Sequence, residues 1–154
     1  GIADAYFVTR KGAYDTTTLI ASAEKMFPAE LGSKVPTAIP DIREAGKCIA
    51  YEITIGAAFH IFRATEAVLR RYWEVVSKGK PHPKQRNLGV YLRKMEDGGF
   101  GNKKVISVLN QIKDLHRNPL IHPEETLTLD EAMGLFGICQ SAVSAMLKEI
   151  PAPQ

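Results

Sequence analysis

Apolar residues recur at steps of three and four over two long stretches of the chain, and this spacing restricts the fold more than any other feature. The first stretch carries Ile55, Phe59, Phe62, Leu69, Trp73 and Val76, and the second carries Leu129, Met133, Phe136, Gln140, Val143, Leu147 and Ile150. Side chains at this spacing share one face of an α-helix. Few segments alternate apolar and polar residues with a period of two, so no β-sheet of any size is predicted. We therefore expect an all-α protein.

Prolines, glycines and capping residues predict where the helices begin and end. The expected helices span residues 41–51, 54–77, 88–95, 103–117 and 128–150, with a short helix at 16–27 that Asp15 or Thr16 caps. Thr54 is expected to cap the second of the long helices, and Thr128 with Glu131 matches a capping box. We predict an up-and-down bundle of four or five helices over residues 41–150, preceded by an N-terminal extension of residues 1–40. Three prolines keep the extension out of long helices.

Length and composition exclude several classes of protein. The 154 residues suffice for one domain with a real core, and 45% hydrophobic with 24% charged residues fits a soluble globular protein. No apolar run approaches the roughly 18 residues of a membrane span. Cys48 and Cys139 are too few for a disulfide framework or a four-thiolate zinc site, which fits a reducing, cytoplasmic compartment. We expect no metal, no cofactor and no membrane association. Gly1 in place of a starting Met suggests a domain of a longer protein.

Basic residues are concentrated in the middle of the chain. The formal net charge is +3, but residues 41–100 alone hold eleven basic and seven acidic side chains. The densest basic stretch runs from residue 78 to 104 and contains only two acidic residues, Glu96 and Asp97. Its basic residues are Lys78, Lys80, Lys84, Arg86, Arg93, Lys94, Lys103 and Lys104. These residues form either a solvated loop and helix face or a surface that follows a phosphate backbone. Within this region Pro81-His82-Pro83 is interpreted as a stiff loop.

Glu66 occupies a position in the first apolar stripe where an apolar residue is expected. A carboxylate is costly to bury unless a cation or hydrogen-bond donor pairs with it. Arg70 follows four residues later and Arg63 precedes by three, so both lie on the same helix face. Glu66 is either a structural ion pair at the rim of the stripe or a carboxylate that orients a cation from another helix.

Arg117, Asn118 and His122 together carry the groups needed for metal-free RNA cleavage. The forked donors of Arg match phosphate oxygens, and His transfers protons near neutral pH. Cleavage needs a base for the ribose 2′-hydroxyl, a cation for the crowded phosphorus and an acid for the leaving 5′-oxygen. An unremarkable alternative is that Arg117 complements a helix dipole and His122 only hydrogen-bonds within a loop.

The pattern of Arg117-Asn118, three residues and His122 resembles the R-x(4–6)-H motif of the HEPN superfamily, named for higher eukaryotes and prokaryotes nucleotide-binding domains. The motif lies between the last two predicted helices, as in that family, and Asn118 matches the polar residue that usually follows the Arg. Residues 59–70 are similar to an earlier core helix of a bacterial group of uncharacterised HEPN domains, in which Glu66 matches an acidic position. The resemblance covers residues 41–150.

This resemblance implies a metal-independent endoribonuclease of a toxin–antitoxin or phage-defence system. It implies a homodimer in which two motifs form one composite cleft, so that the second subunit supplies another Arg117 and His122. His116 is an alternative second imidazole. RNA would be the substrate, and an antitoxin or additional domains are further expected partners.

The resemblance also assigns roles to the candidate residues. Arg117 would stabilise the phosphate, His122 would transfer protons and Asn118 would position the loop. Glu66 would orient Arg117 or His122, with Arg63, Arg70 and His116 as supporting residues, and the eight basic residues of 78–104 would hold the RNA backbone. The alternative function is a non-catalytic nucleotide-binding or dimerisation module of a larger bacterial protein.

Overall fold

Seven α-helices make up most of the computed structural model, which describes residues 10–11, 14–121 and 126–154, with side chains for 14–115 and 126–154. The α-helices are α1 (Thr16–Ser22), α2 (Leu31–Lys34), α3 (Ile39–Ala50), α4 (Thr54–Val76), α5 (Leu88–Gly98), α6 (Lys103–Ile121) and α7 (Leu129–Glu149). Two 3-10 helices, Ala23–Met26 and Pro36–Ala38, follow α1 and α2. Antiparallel pairing of β1 (Arg10–Lys11) with β2 (Tyr14–Asp15) is the only sheet in the described part of the chain. The predicted all-α class is confirmed.

Local capping signals identify two of the helix starts correctly. Asp15 caps α1, because its carboxylate accepts a hydrogen bond from the backbone amide two residues later. The capping box of Thr128 and Glu131 forms as predicted, with both reciprocal hydrogen bonds present. Thr54 is wrong as a cap, since it is the first helical residue of α4 and Ile53 occupies the cap position without a side-chain hydrogen bond.

Helix α6 extends beyond its predicted end at Arg117 and runs to Ile121. Arg117 lies in the helix as predicted, and Asn118 belongs to the helix as well rather than to the turn after it. Pro119 does not stop the helix at once. A proline removes its own amide hydrogen bond and its ring crowds the carbonyl four residues earlier, but its fixed φ is close to the helical value, so the helix can continue for a few residues.

The core face of α4 agrees only in part with the predicted stripe. Phe62, Leu69 and Trp73 are buried as expected, but Ile55 and Phe59 are 42% and 46% exposed. Helices α3 and α7 both pack against α4. The first half of α4 faces them with smaller residues, among them Ala57, Ala58, Ala64 and Thr65. The prediction failed there because large apolar side chains identify a core face only where neighbouring helices cover them.

Residues 14–40 share the hydrophobic core of the bundle. Their buried side chains include Leu19, Ala23, Phe27, Leu31, Val35 and Ala38, each at most 6% exposed. Gln140 on α7 joins this segment to the last helix, because its Nε2 donates to the Met26 carbonyl at 2.8 Å and its Oε1 accepts from the Tyr14 hydroxyl at 3.2 Å. The boundary between an extension at 1–40 and a domain at 41–150 stays a sequence prediction.

Candidate functional site

Glu66 lies in the middle of α4 with its side chain 26% exposed. Its Oε2 is 3.7 Å from Nη2 of Arg70. Burial raises the pKa of the Glu66 carboxyl, and the charges of Arg70 and Arg63 oppose that increase. The local geometry therefore matches the first interpretation of this position, an ion pair at the rim of the apolar face.

A cavity of about 710 Å³, which we name the Glu66 groove, lies between α4 and residues 34–41. Its charged lining residues are Lys34, Asp41, Arg63, Glu66, Arg70, Arg71 and Glu74. The ion pairs along it are Arg63–Asp41 at 3.4 Å, Arg70–Glu66 at 3.7 Å, Arg71–Glu74 at 2.9 Å and Lys34 with nearby Glu30 at 3.9 Å. Each cation of the groove therefore already has a carboxylate partner.

The motif that the sequence singled out lies at the end of α6. Arg117 and Asn118 belong to its last turns, as does His116, and no side-chain geometry is described for them. His122 lies outside the described residues. Glu66 is thus brought together with Arg63 and Arg70, and among the described side chains none from α6 lines the Glu66 groove. The predicted contact of Glu66 with Arg117 or His122 stays a prediction.

The eight basic residues of 78–104 are all exposed. Within the described part of the chain, none of them forms an ion pair. Lys80 places its Nζ 5.1 Å from the centroid of the Phe100 ring, a cation–π contact. These charges differ from those of the Glu66 groove, because no carboxylate oxygen among the described residues lies within 4.0 Å of their nitrogens.

His82 organises the loop between α4 and α5, a role that its sequence position did not reveal. Its Nε2 lies 3.0 Å from Glu74 Oε1, and its Nδ1 lies 2.8 Å from the hydroxyl oxygen of Tyr91. Because a carboxylate only accepts, Nε2 donates to Glu74, and in neutral His82 the Nδ1 atom accepts from Tyr91. The only sequence signal was a histidine between two prolines, which predicted a stiff loop without its partners.

Beside this loop lies a second cavity of about 650 Å³, which we name the His82 groove. It is lined by Pro81, His82, Pro83, Lys84, Gln85, Val90, Arg93 and Lys94. Three of the eight predicted RNA-binding residues therefore border one recess, together with a histidine whose ring nitrogens are both engaged.

Neither cysteine has the character of a nucleophile. Cys139 is fully buried, and burial raises the pKa of its thiol to about 12. Burial also raises the pKa of the Cys48 thiol, with a further contribution from the charge of Glu44. A thiol needs a lowered pKa to attack at neutral pH, and the pKa of both thiols is raised.

In the described part of the chain, no cluster of three or more His, Cys, Asp or Glu residues is placed to hold a metal ion. The helices described include none that is both long enough and apolar enough to cross a bilayer. Comparison with protein-family models, curated proteins and solved structures finds no match to this chain.

Proposed function

We propose that this protein is a HEPN-like, metal-independent endoribonuclease that acts as a cytoplasmic homodimer in a toxin–antitoxin or phage-defence system. The observation that carries the proposal is the spacing of Arg117-Asn118 and His122 at the connection between α6 and α7. Helix α6 ends at Ile121 and α7 begins at Leu129, so Arg117 and Asn118 lie in the last turns of α6 and His122 follows that helix in the sequence.

In the proposed reaction a His122 side chain removes the proton of the ribose 2′-hydroxyl, whose oxygen then attacks the adjacent phosphorus. The bond from phosphorus to the 5′-oxygen breaks, and the second imidazole gives that oxygen a proton. The products are a 2′,3′-cyclic phosphate and a 5′-hydroxyl. Arg117 stabilises the charge on the phosphorus oxygens during the step. The second imidazole is His122 of the other subunit, or alternatively His116.

The exposed basic residues of 78–104 support an RNA substrate. A polyanion binds more strongly to cations when no existing ion pair with a carboxylate has to be broken first. These basic side chains have no carboxylate partner among the described residues. The Glu66 groove is a weaker candidate for phosphate, because each of its cations is paired.

Cleavage of labelled RNA in the presence of EDTA tests the proposal. We expect the wild-type protein to cleave, and the Arg117→Ala and His122→Ala variants to lose about a hundredfold or more in rate. Arg43→Ala is the matched control, since Arg43 is exposed and pairs with Glu24 on the N-terminal segment. It should cleave at the wild-type rate.

Two outcomes would contradict the nuclease. One is intact RNA with wild-type protein, and the other is equal cleavage by the wild type and both motif variants while all remain folded. Intact RNA together with binding of RNA or a nucleotide would favour the alternative, a non-catalytic module of a larger protein.

A further inference from the structure

We propose that the His82 groove binds the phosphodiester groups of single-stranded RNA through Lys84, Arg93 and Lys94. The inference rests on the RNA substrate of the proposed function and deepens it, since it assigns backbone binding to three of the eight basic residues. It does not depend on whether the protein cleaves what it binds.

The charge of the groove is the first argument. Lys84, Arg93 and Lys94 line it and are exposed, and within the described part of the chain no carboxylate lines it with them. The Glu66 groove is of similar size, but a phosphate there would have to displace a carboxylate from each cation. Three cations around one recess, none of them in an ion pair among the described residues, favour an anion with several negative groups close together.

The rigidity of the groove is the second argument. Arg93 and Lys94 are held on α5, whereas Lys84 lies on the preceding loop. Hydrogen bonds of His82 fix that loop to both flanking helices, since Glu74 lies on α4 and Tyr91 on α5. A binding surface whose loop is already ordered loses less conformational entropy when the ligand arrives.

Further contacts hold the start of the same loop. The indole Nε1 of Trp73 donates to the carbonyl of Lys80 at 3.2 Å, and the Lys80 amide donates to Ser77 Oγ at 3.2 Å. Trp73 and Ser77 are both buried, so the loop leaves α4 from a firmly packed position. The three cations are therefore presented by a supported loop and a helix rather than by a free chain.

The shape and walls of the groove favour a single strand. Pro81 and Val90 add apolar surface to the same lining, against which a ribose or a base face can lie. A flexible single strand can bend its backbone into a recess, whereas a duplex is stiff and keeps its phosphates on a convex surface.

Binding of a short labelled single-stranded RNA, measured by fluorescence anisotropy in EDTA, tests this inference. We compare wild-type protein with the triple variant Lys84→Ala, Arg93→Ala, Lys94→Ala. The matched control is the triple variant Lys25→Ala, Arg43→Ala, Lys148→Ala. It also removes two lysines and one arginine, but from exposed positions outside the groove. Circular dichroism melting checks that all three proteins are folded.

We expect the groove variant to bind about tenfold or more weakly near 0.1 M salt, with a salt slope shallower by about 2, as three lost phosphate contacts to a single strand require. The control triple should stay within about threefold of wild type. Equal losses in the two triples, or no loss in the groove variant, would overturn the groove as the binding site. Equally tight binding of a duplex of the same length, with the same loss in the groove variant, would overturn its preference for single strands.

Cleavage assays on the same proteins separate this inference from the proposed nuclease. If the wild type binds RNA without ever cleaving it, and the groove variant binds RNA more weakly, the groove is supported and the nuclease is rejected. Cleavage by the wild type with unchanged binding by the groove variant would support the nuclease and reject the groove.

Discussion

Glu66 shows how the surroundings of one side chain determine what a sequence anomaly means. The stripe indicated a carboxylate in an apolar face, and the two nearby arginines were visible from their spacing. The structure adds that Glu66 is only partly buried and that it pairs with Arg70 at 3.7 Å. Its pKa is nevertheless raised by burial, so the ion pair does not compensate fully for the loss of water.

The raised pKa of Glu66 predicts a pH-dependent effect of Glu66→Gln on stability. Above the ordinary carboxyl pKa of 4.5 the folded wild type holds a proton that the unfolded chain has lost, so its stability falls as the pH rises through the folded pKa. Gln does not ionise. The free energy of unfolding of Glu66→Gln minus that of wild type should therefore be more positive near pH 7 than near pH 3.5, measured by urea titration.

Glu24→Gln provides the control with the opposite sign. A hydrogen bond from Arg43, at 3.1 Å, is the main cause that lowers the pKa of Glu24. Wild type therefore gains stability from this group above its unfolded pKa and loses it as the pH falls. The free energy of unfolding of Glu24→Gln minus that of wild type should therefore be more negative near pH 7 than near pH 3.5. If this difference changes with pH in the same direction for both variants, the opposite pKa directions given to Glu66 and Glu24 are contradicted.

At the scale of elements, two segments of the chain approach each other closely at Gly46 on α3. A Cβ atom placed at Gly46 would lie 2.4 Å from Cβ of Ala23 and 2.5 Å from the carbonyl oxygen of Leu19. Neither neighbour is the end of a flexible side chain that can move aside. Glycine at this position is what allows α1 and the turn after it to pack directly on α3.

Gly46→Ala should therefore destabilise the fold by about 1–3 kcal/mol, the cost of overpacking a tight contact. Gly134→Ala is the matched control, since Gly134 lies within α7 and a Cβ there would meet nothing within 4 Å. It should stabilise the protein by about 0.5–1 kcal/mol through lower backbone entropy of the unfolded chain. Urea unfolding midpoints give both values, and a neutral Gly46→Ala would show that the two segments separate at little cost.

At the scale of the whole molecule, the corner between α3 and α4 exposes apolar surface that a second copy can cover. The exposed fractions are 65% for Tyr51, 55% for Ile53, 42% for Ile55 and 46% for Phe59. In a twofold dimer a surface packs against its own copy, so Phe59 of each subunit can cover Ile55 of the other. Four of the six exposed large apolar side chains among the described residues lie here, so we predict that the proposed homodimer buries this surface.

Phe59→Glu should shift the dimer towards monomer, raising the dimer dissociation constant about tenfold or more, because it places a charge in the buried interface. Ile20→Glu on α1 is the control, since Ile20 is 37% exposed but lies on another helix. Sedimentation velocity over a concentration series gives both constants. A monomeric wild type would reject the homodimer, and an unchanged Phe59→Glu dimer would place its interface elsewhere.

What the sequence alone determined was local in origin. The all-α class, the capping box of Thr128 with Glu131 and the buried position of Trp73 follow from residue spacing and capping chemistry within a few turns of chain. Those signals need no knowledge of distant neighbours, because helix periodicity and end caps act between residues at most four positions apart.

Only the tertiary structure decided which side chains are buried and which distant residues come into contact. It left Ile55 and Phe59 uncovered, brought residues 14–40 into the core through contacts such as Gln140 with Met26, and paired His82 with Glu74 and Tyr91. It also paired the cations of the Glu66 groove while leaving those of the His82 groove free of described carboxylates. Burial and charge pairing depend on side chains from distant positions in the chain, and residue spacing within a single helix does not specify them.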